Sequence, residues 1–365
     1  MKEFTTSKGR IFGLDIIRAA AILIVVLVHG SFFLKDSFLE EFPYFPMLDG
    51  VELFFVLSGF LIGGILLREI NSTDDFKITQ LFHFWKRRWF RTLPTYYLIL
   101  LANYFFVKYE IVNENINEFN YSFLVFTHNF LTPFYGFFWE SWSLSIEEWF
   151  YIITPIFLSL FLRVFPPKLT FFITALIMIL LPCVYRFYNY DDSIDFFWWD
   201  VAFRKTVVCR LDSIGYGLFA AWVFYYYRNL WSNNWAPCFI LGSMLIIFVI
   251  NLEMDPDTIY KQVLYFSLVS FSIMLILPAA TRFRSAKGIL PYIIEHISKI
   301  SYSMYLINLG LVSSVIRDNF APSNDIDALL VYFIYWIIVI CASTLLYKYF
   351  EKPVMDLRDK KIKLF

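Results

Sequence analysis

Residues 11–34 read IFGLDIIRAAAILIVVLVHGSFFL, an apolar run long enough to cross a bilayer that nonetheless carries Asp15, Arg18 and His29. Charge placed in hydrocarbon costs several kcal/mol unless it is paired or faces a wet cavity, so such residues mark a functional site by default. At about 100° per residue, the step from Arg18 to His29 turns a helix by roughly three full turns plus about 20°. Both side chains therefore point the same way, about 16 Å apart along the axis, and Asp15 joins the stripe three residues before Arg18.

Working outward, the 365-residue chain is 59% hydrophobic and 22% aromatic, with 44 Phe, 24 Tyr and only 17% charged residues. That composition excludes an ordinary soluble domain and reads as an all-α, polytopic membrane protein. The net charge of zero says nothing about partners. A polar N-terminus and a first span without a small-residue cleavage site argue against a removable signal peptide. Cys183, Cys209, Cys238 and Cys341 lack metal-type spacing, so no metal is expected, and no repeat or linker divides the chain. Residues 1–365 are read as one integral domain, with spans over about 11–350 between short tails.

Windows of about twenty apolar residues give about ten transmembrane helices. They lie at 11–34, 50–68, 92–109, 142–163, 168–187, 206–227, 236–252, 260–280, 298–315 and 327–349. Residues 121–138, broken by His128, Asn129, Pro133 and Gly136, read as a short re-entrant segment. Most of the 31 Lys and Arg then fall on one side, including Lys2, Lys8, Arg10, Arg68, Lys77, Arg87, Arg282, Lys348, Lys360, Lys361 and Lys363. By the positive-inside rule that side, with both termini, is cytoplasmic. Lys35, Lys108, Arg186, Arg204, Lys205, Lys261 and Arg317 fall outside. The outer loops are acidic and aromatic around 191–200, which fits an interfacial belt or a sugar-stacking surface.

Four further stretches bear on chemistry. Gly50 to Gly64 carries small residues at 58, 59, 63 and 64, a face on which two helices can approach closely, and Glu52 stands near its outer end. Phe84 to Pro94 stacks Lys86, Arg87, Arg88 and Arg91 between aromatics. This is either a lipid anchor or, through Arg88 and Arg91 on one helical face, a pair for bidentate phosphate capture. Trp139 to Tyr151 holds the adjacent carboxylates Glu147 and Glu148, of which Glu147 is expected to turn inward on the face it shares with Ser143. Arg210 and Asp212, two apart, should each pair with another helix. His83 and His296 read as solvated and His128 as a candidate cavity residue. His29, embedded in a full span, is suited to accept a proton from a hydroxyl.

Six motifs in order make the chain resemble the acyltransferase-3 family of integral membrane O-acyltransferases. They are Leu14-Asp15-Ile16-Ile17-Arg18 through His29, Gly50 through Ile62, Arg88-x-x-Arg91 with Pro94, Trp142 through Glu148, Ile300 through Leu306, and Glu351-Lys352-Pro353. The resemblance implies a ten-span domain that carries an acyl group, by default acetyl, from cytoplasmic acyl-CoA to a hydroxyl of a glycan or lipid-linked sugar. The bacterial cytoplasmic membrane is the implied location. It implies His29 as the catalytic histidine, Arg18 as its motif partner, Arg88 and Arg91 at the donor's phosphates, and Glu147 as the carboxylate of the Trp-Ser-Leu motif. Glu147 or Asp15 would then hold the imidazole of His29, which acts as base or as an acyl carrier. Two departures stand out. Many members carry a histidine where this chain has Asn308, and some add a C-terminal SGNH esterase-like domain that is not read here, so a second transfer step would need a separate downstream transferase. A transporter or flippase for a lipid-linked glycan is the alternative from another class; the lack of paired inverted repeats counts against it.

Overall fold

The computed structural model describes residues 11–35, 48–72, 78–252, 254–320, 322 and 324–359. The basic flanks Lys2, Lys8, Arg10, Lys77, Lys360, Lys361 and Lys363 lie outside the described residues. No strand occurs among those described. In chain order the helices are α1 (Phe12–Gly30), α2 (Gly50–Asn71), α3 (Ile78–Lys108), α4 (Ser141–Phe161), α5 (Pro167–Tyr188), the short α6 (Phe196–Trp199), α7 (Val207–Tyr226), α8 (Arg228–Asn233) and α9 (Trp235–Asn251). They continue with α10 (Tyr265–Ala280), α11 (Ile289–Ile307), α12 (Ser314–Asn319), α13 (Asp325–Leu346) and α14 (Lys352–Asp359).

Eight stretches, built on α1, α2, α4, α5, α7, α10, α11 with α12, and α13, are long and apolar enough to cross a membrane. The two other expected spans fall on the C-terminal half of the 31-residue α3 and on the 17-residue α9. The chain is a multi-pass helical membrane protein. Broad apolar faces stay outside the bundle, such as Phe239, Met244 and Ile247 on α9 and Leu330, Phe333 and Ile337 on α13. Where lipid is the solvent, these faces cost nothing. Residues 121–138 form no spanning helix. They fold into a short 3₁₀ turn at Tyr121–Leu124 followed by irregular chain, with Phe123, Phe134, Phe137 and Phe138 buried against the bundle.

The bundle centres on α2 and α7. A Cβ on Gly59 would stand 2.0 Å from the Ile214 carbonyl, and one on Gly217 2.0 Å from that of Val56, so only glycine lets these backbones meet. Buried ion pairs stitch the same region. Arg210 donates to Glu52, which also accepts from Ser213 Oγ at 3.1 Å, and thus ties α7 to α2. Asp212 accepts from Arg186 of α5 at 2.8 Å and from Ser267 Oγ of α10 at 2.7 Å. Arg210 and Asp212 do reach different helices, as their spacing requires.

Arg186 corrects the reading of the outer loops. It is fully buried in the last turn of α5, because Asp212, Ser267 and the backbone carbonyls of Cys209 and Val263 together meet its guanidinium. His296 is half-buried and bonded to Thr344 Oγ1 at 3.1 Å, whereas His83 is exposed. His128 is buried against Phe123, with ring centroids 4.2 Å apart, and bonded to Ser141 at 3.0 Å; it is held in packing and lines none of the cavities described below.

Candidate active site

A cavity of about 120 Å³ opens among α1, α2, α3, α4 and α11. Arg18 reaches it from α1, Ser58 from α2, Arg88 and Arg91 from α3, Glu147 and Tyr151 from α4, and Tyr302 and Tyr305 from α11. The helical period explains the convergence. Arg88 and Arg91 are three apart on α3, and Glu147 and Tyr151 four apart on α4, so each pair shares a face. The Tyr151 hydroxyl lies 3.2 Å from Glu147 Oε2 as donor and 3.1 Å from Ser58 Oγ. Trp85 docks the basic stretch onto α4 by donating its Nε1–H to the Tyr151 carbonyl at 2.8 Å. Glu148 is also inward, contrary to the expectation of a single inward carboxylate. It turns to the α3 side, where Thr92 Oγ1 donates to it at 2.6 Å.

A second hollow of about 310 Å³ adjoins the first, sharing Arg18, Leu61 and Arg91 and adding Asp15, Lys299 and Glu351. Asp15 Oδ1 lies 3.8 Å from Arg18 Nη1 and accepts from Ser298 Oγ at 2.7 Å. Glu351 accepts from Ser303 Oγ at 2.6 Å. Four cations, Arg18, Arg88, Arg91 and Lys299, thus border these two adjoining hollows, a cationic recess on the α1 N-terminal side.

His29 lies at the other end of α1 and does not line either hollow. Its ring Nδ1 stands 2.5 Å from Asn308 Oδ1, and its backbone carbonyl accepts from Ser313 Oγ at 3.1 Å. Neither Asp15 nor Glu147 is the ring's partner; the residue set aside as a departure is. The wall between is thin. Asn308 Nδ2 donates to the carbonyl of Tyr305, a cavity residue three positions earlier, so about one helical turn separates cavity and histidine. Ser143 Oγ donates to the Tyr305 hydroxyl at 2.6 Å, which in turn donates to the Glu140 carbonyl at 3.1 Å, and Phe54 meets the Tyr305 ring edge-on at 6.5 Å.

The charges of Arg204, Asp49 and Lys205 act on His29. Asp49 caps α2 by accepting from Val51 N at 2.9 Å and grips Arg204 Nη2 at 2.6 Å. Burial pushes its carboxyl up, but Arg204, with the Val51 amide and Arg210, more than offsets this and holds it below the usual range. Arg204 also lies over the Trp142 ring at 5.0 Å, and Lys205 over that of Trp139 at 4.7 Å. Buried just ahead of α4, Glu140 accepts from Gly310 N at 3.1 Å; its burial and then neighbouring Glu114 push it up to about 8.

Residues 11–348 match the acyltransferase-3 family, described as an acyltransferase domain. The chain belongs to that family. O-acetyltransferase OatA of Staphylococcus aureus (strain NCTC 8325 / PS 47) is 26% identical over 97% of this chain and 58% of its own length. The putative O-acetyltransferase SACOL0978 of S. aureus (strain COL) is 28% identical over 96% of this chain and 59% of its own. The chain therefore spans less than two thirds of the length of these relatives. No solved structure matches. Five of the six motifs read from the sequence lie within the matched residues, and Glu351-Lys352-Pro353 falls just beyond them. Tyr151 and Tyr305 carry no role of their own in the sequence reading, and Asn308 stands there only as a departure, because no single-residue signal distinguishes a polar group aimed at a site from one satisfied in packing. Asn308 did carry a positional signal: it lies in the turn that follows the Ser-Tyr-Ser-x-Tyr-Leu stretch.

Proposed function

We propose that the protein is a membrane O-acyltransferase that moves an acyl group, by default acetyl, from acyl-CoA to a hydroxyl of a glycan or lipid-linked sugar. The observation that carries this reading is the convergence of Arg18, Arg88, Arg91 and Glu147 on one buried hollow a helical turn from His29. The phosphates of the donor sit against Arg88 and Arg91, with Arg18 and Lys299 adding positive charge at the recess, and the thioester arm extends past Tyr305 toward His29. Both termini face the cytoplasm, so donor and acceptor arrive from opposite sides.

His29 acts as general base. Its Nε2 takes the proton of the acceptor hydroxyl as that oxygen bonds to the acyl carbon; the carbon–sulfur bond then breaks, and the proton passes to the CoA thiolate. Proton transfer of this kind contributes about 10²–10⁴-fold in rate. Purified protein given labelled acetyl-CoA and an acceptor glycan should form labelled ester, and His29→Ala should lose transfer by about that factor while still binding donor. Wild-type transfer by His29→Ala would sink the mechanism. A protein that leaves acetyl-CoA untouched but moves a lipid-linked glycan across vesicles would be the flippase instead.

A further inference from the structure

We infer that Asn308 is a positioning residue that fixes the imidazole of His29 in one tautomer, with the proton on Nδ1 and the lone pair on Nε2. The inference rests on His29 being the base and adds what sets that base up. Asn308 is fully buried, and its Nδ2 donates to two backbone carbonyls, of Met304 at 2.9 Å and of Tyr305 at 2.7 Å. Carbonyls only accept, so the amide group cannot be reversed without facing oxygen against two oxygens. Its Oδ1 is therefore the atom 2.5 Å from His29 Nδ1, and since a carbonyl oxygen has nothing to donate, the ring nitrogen must carry the hydrogen. Nε2 is left as the acceptor, and it has no hydrogen-bond partner among the described residues.

The local backbone reinforces the arrangement. Asn308 opens a π-helical turn, Asn308–Ser313, between α11 and α12. That wider turn carries both of the groups that grip His29, the Asn308 amide on its ring and the Ser313 hydroxyl on its carbonyl. Insertions of this kind in a helix gather at functional positions because they re-aim side chains. A neutral amide also differs from a carboxylate in this place. It orients the ring but cannot take up a proton itself, so only the imidazole titrates.

Asn308→Leu keeps the branched shape and removes the acceptor, along with the two Nδ2 donor bonds. In the full-length protein in detergent, with acetyl-CoA as donor, it should lower kcat on the order of 10²-fold, within the range general-base catalysis supplies. KM for acetyl-CoA should change less than about twofold, because Asn308 lines neither hollow and bonds to none of the four cations there. In a His29→Ala background the same substitution should cost nothing more, since a residue acting through His29 has nothing left to act on. Wild-type kcat in Asn308→Leu, an equal loss of donor binding, or a further loss on top of His29→Ala each overturns the inference. An active His29→Ala would instead overturn the mechanism it rests on.

Discussion

Arg91 stands in the wall shared by the two hollows, and its charge acts on both Glu147 and Glu351. In the proposed reaction, a residue so placed grips the donor near its phosphates and stands away from the reacting carbon. Arg91→Gln should therefore raise KM for acetyl-CoA by about 10- to 100-fold, the worth of one charge-assisted hydrogen bond, and leave kcat within about threefold. Steady-state transfer over a range of donor concentrations measures it. An unchanged KM with a collapsed kcat would move Arg91 from donor binding to the chemistry. His29, Arg18 and the Arg88/Arg91 pair could be singled out from sequence because a charge in an apolar or aromatic run has few inexpensive reasons to be there. Asn308 could not, because an amide costs little to bury once bonded, and its bond to His29 joins positions far apart in the chain.

Between elements, the decisive contact is the crossing of α2 and α7. Gly59→Ala would put a methyl 2.0 Å from the Ile214 carbonyl and 3.0 Å from Gly217 Cα, so the helices must separate. We expect a loss of about 1–3 kcal/mol from such overpacking, read as a lower melting temperature in detergent. A melting curve equal to wild type would show that the crossing gives way cheaply. The small-residue pattern at 58–64 made this contact legible, and spacing alone separated the partners of Arg210 and Asp212. The π turns were not legible, since stretches of five or six residues are too short for a change of period to show in the hydropathy pattern. Arg186 was misplaced for a related reason. At a helix end, a cation that snorkels outward and one that folds back onto a buried carboxylate give the same sequence pattern.

Across the whole molecule, α3, the irregular chain up to Glu140, and the π turn after α11 meet around a second polar centre that the proposed transfer does not use. Asn103 donates to Glu114 at 3.3 Å, Phe138 N donates to the same carboxylate at 2.9 Å, and Glu140 lies beside them. Because Glu140 is pushed up to about 8 by burial and by Glu114, the folded protein keeps a proton there that the unfolded chain releases near the ordinary value of about 4.3. Its stabilising contribution is complete below about pH 4 and is lost as the pH rises toward about 8. Glu140→Gln keeps the shape and cannot ionise, so its melting temperature should fall less than that of wild type between pH 5 and pH 8. Parallel curves for the two proteins would mean that Glu140 is already ionised in the fold.

One unbroken rod, α1, borders the cationic recess at Arg18 and carries the proposed base, His29. It works as a ruler. With no proline or kink residue between those points, their separation of about 16 Å is set by residue count alone, and so is the direction in which His29 points. Register is then as strictly constrained as residue identity. One alanine inserted after Val25 would lengthen the rod by only about 1.5 Å but swing His29 by about 100°, away from Asn308 and the acceptor. Such a variant, with every proposed catalytic side chain still present, should bind acetyl-CoA normally and transfer nothing; full activity would show that the base does not need to be delivered by a rigid helix.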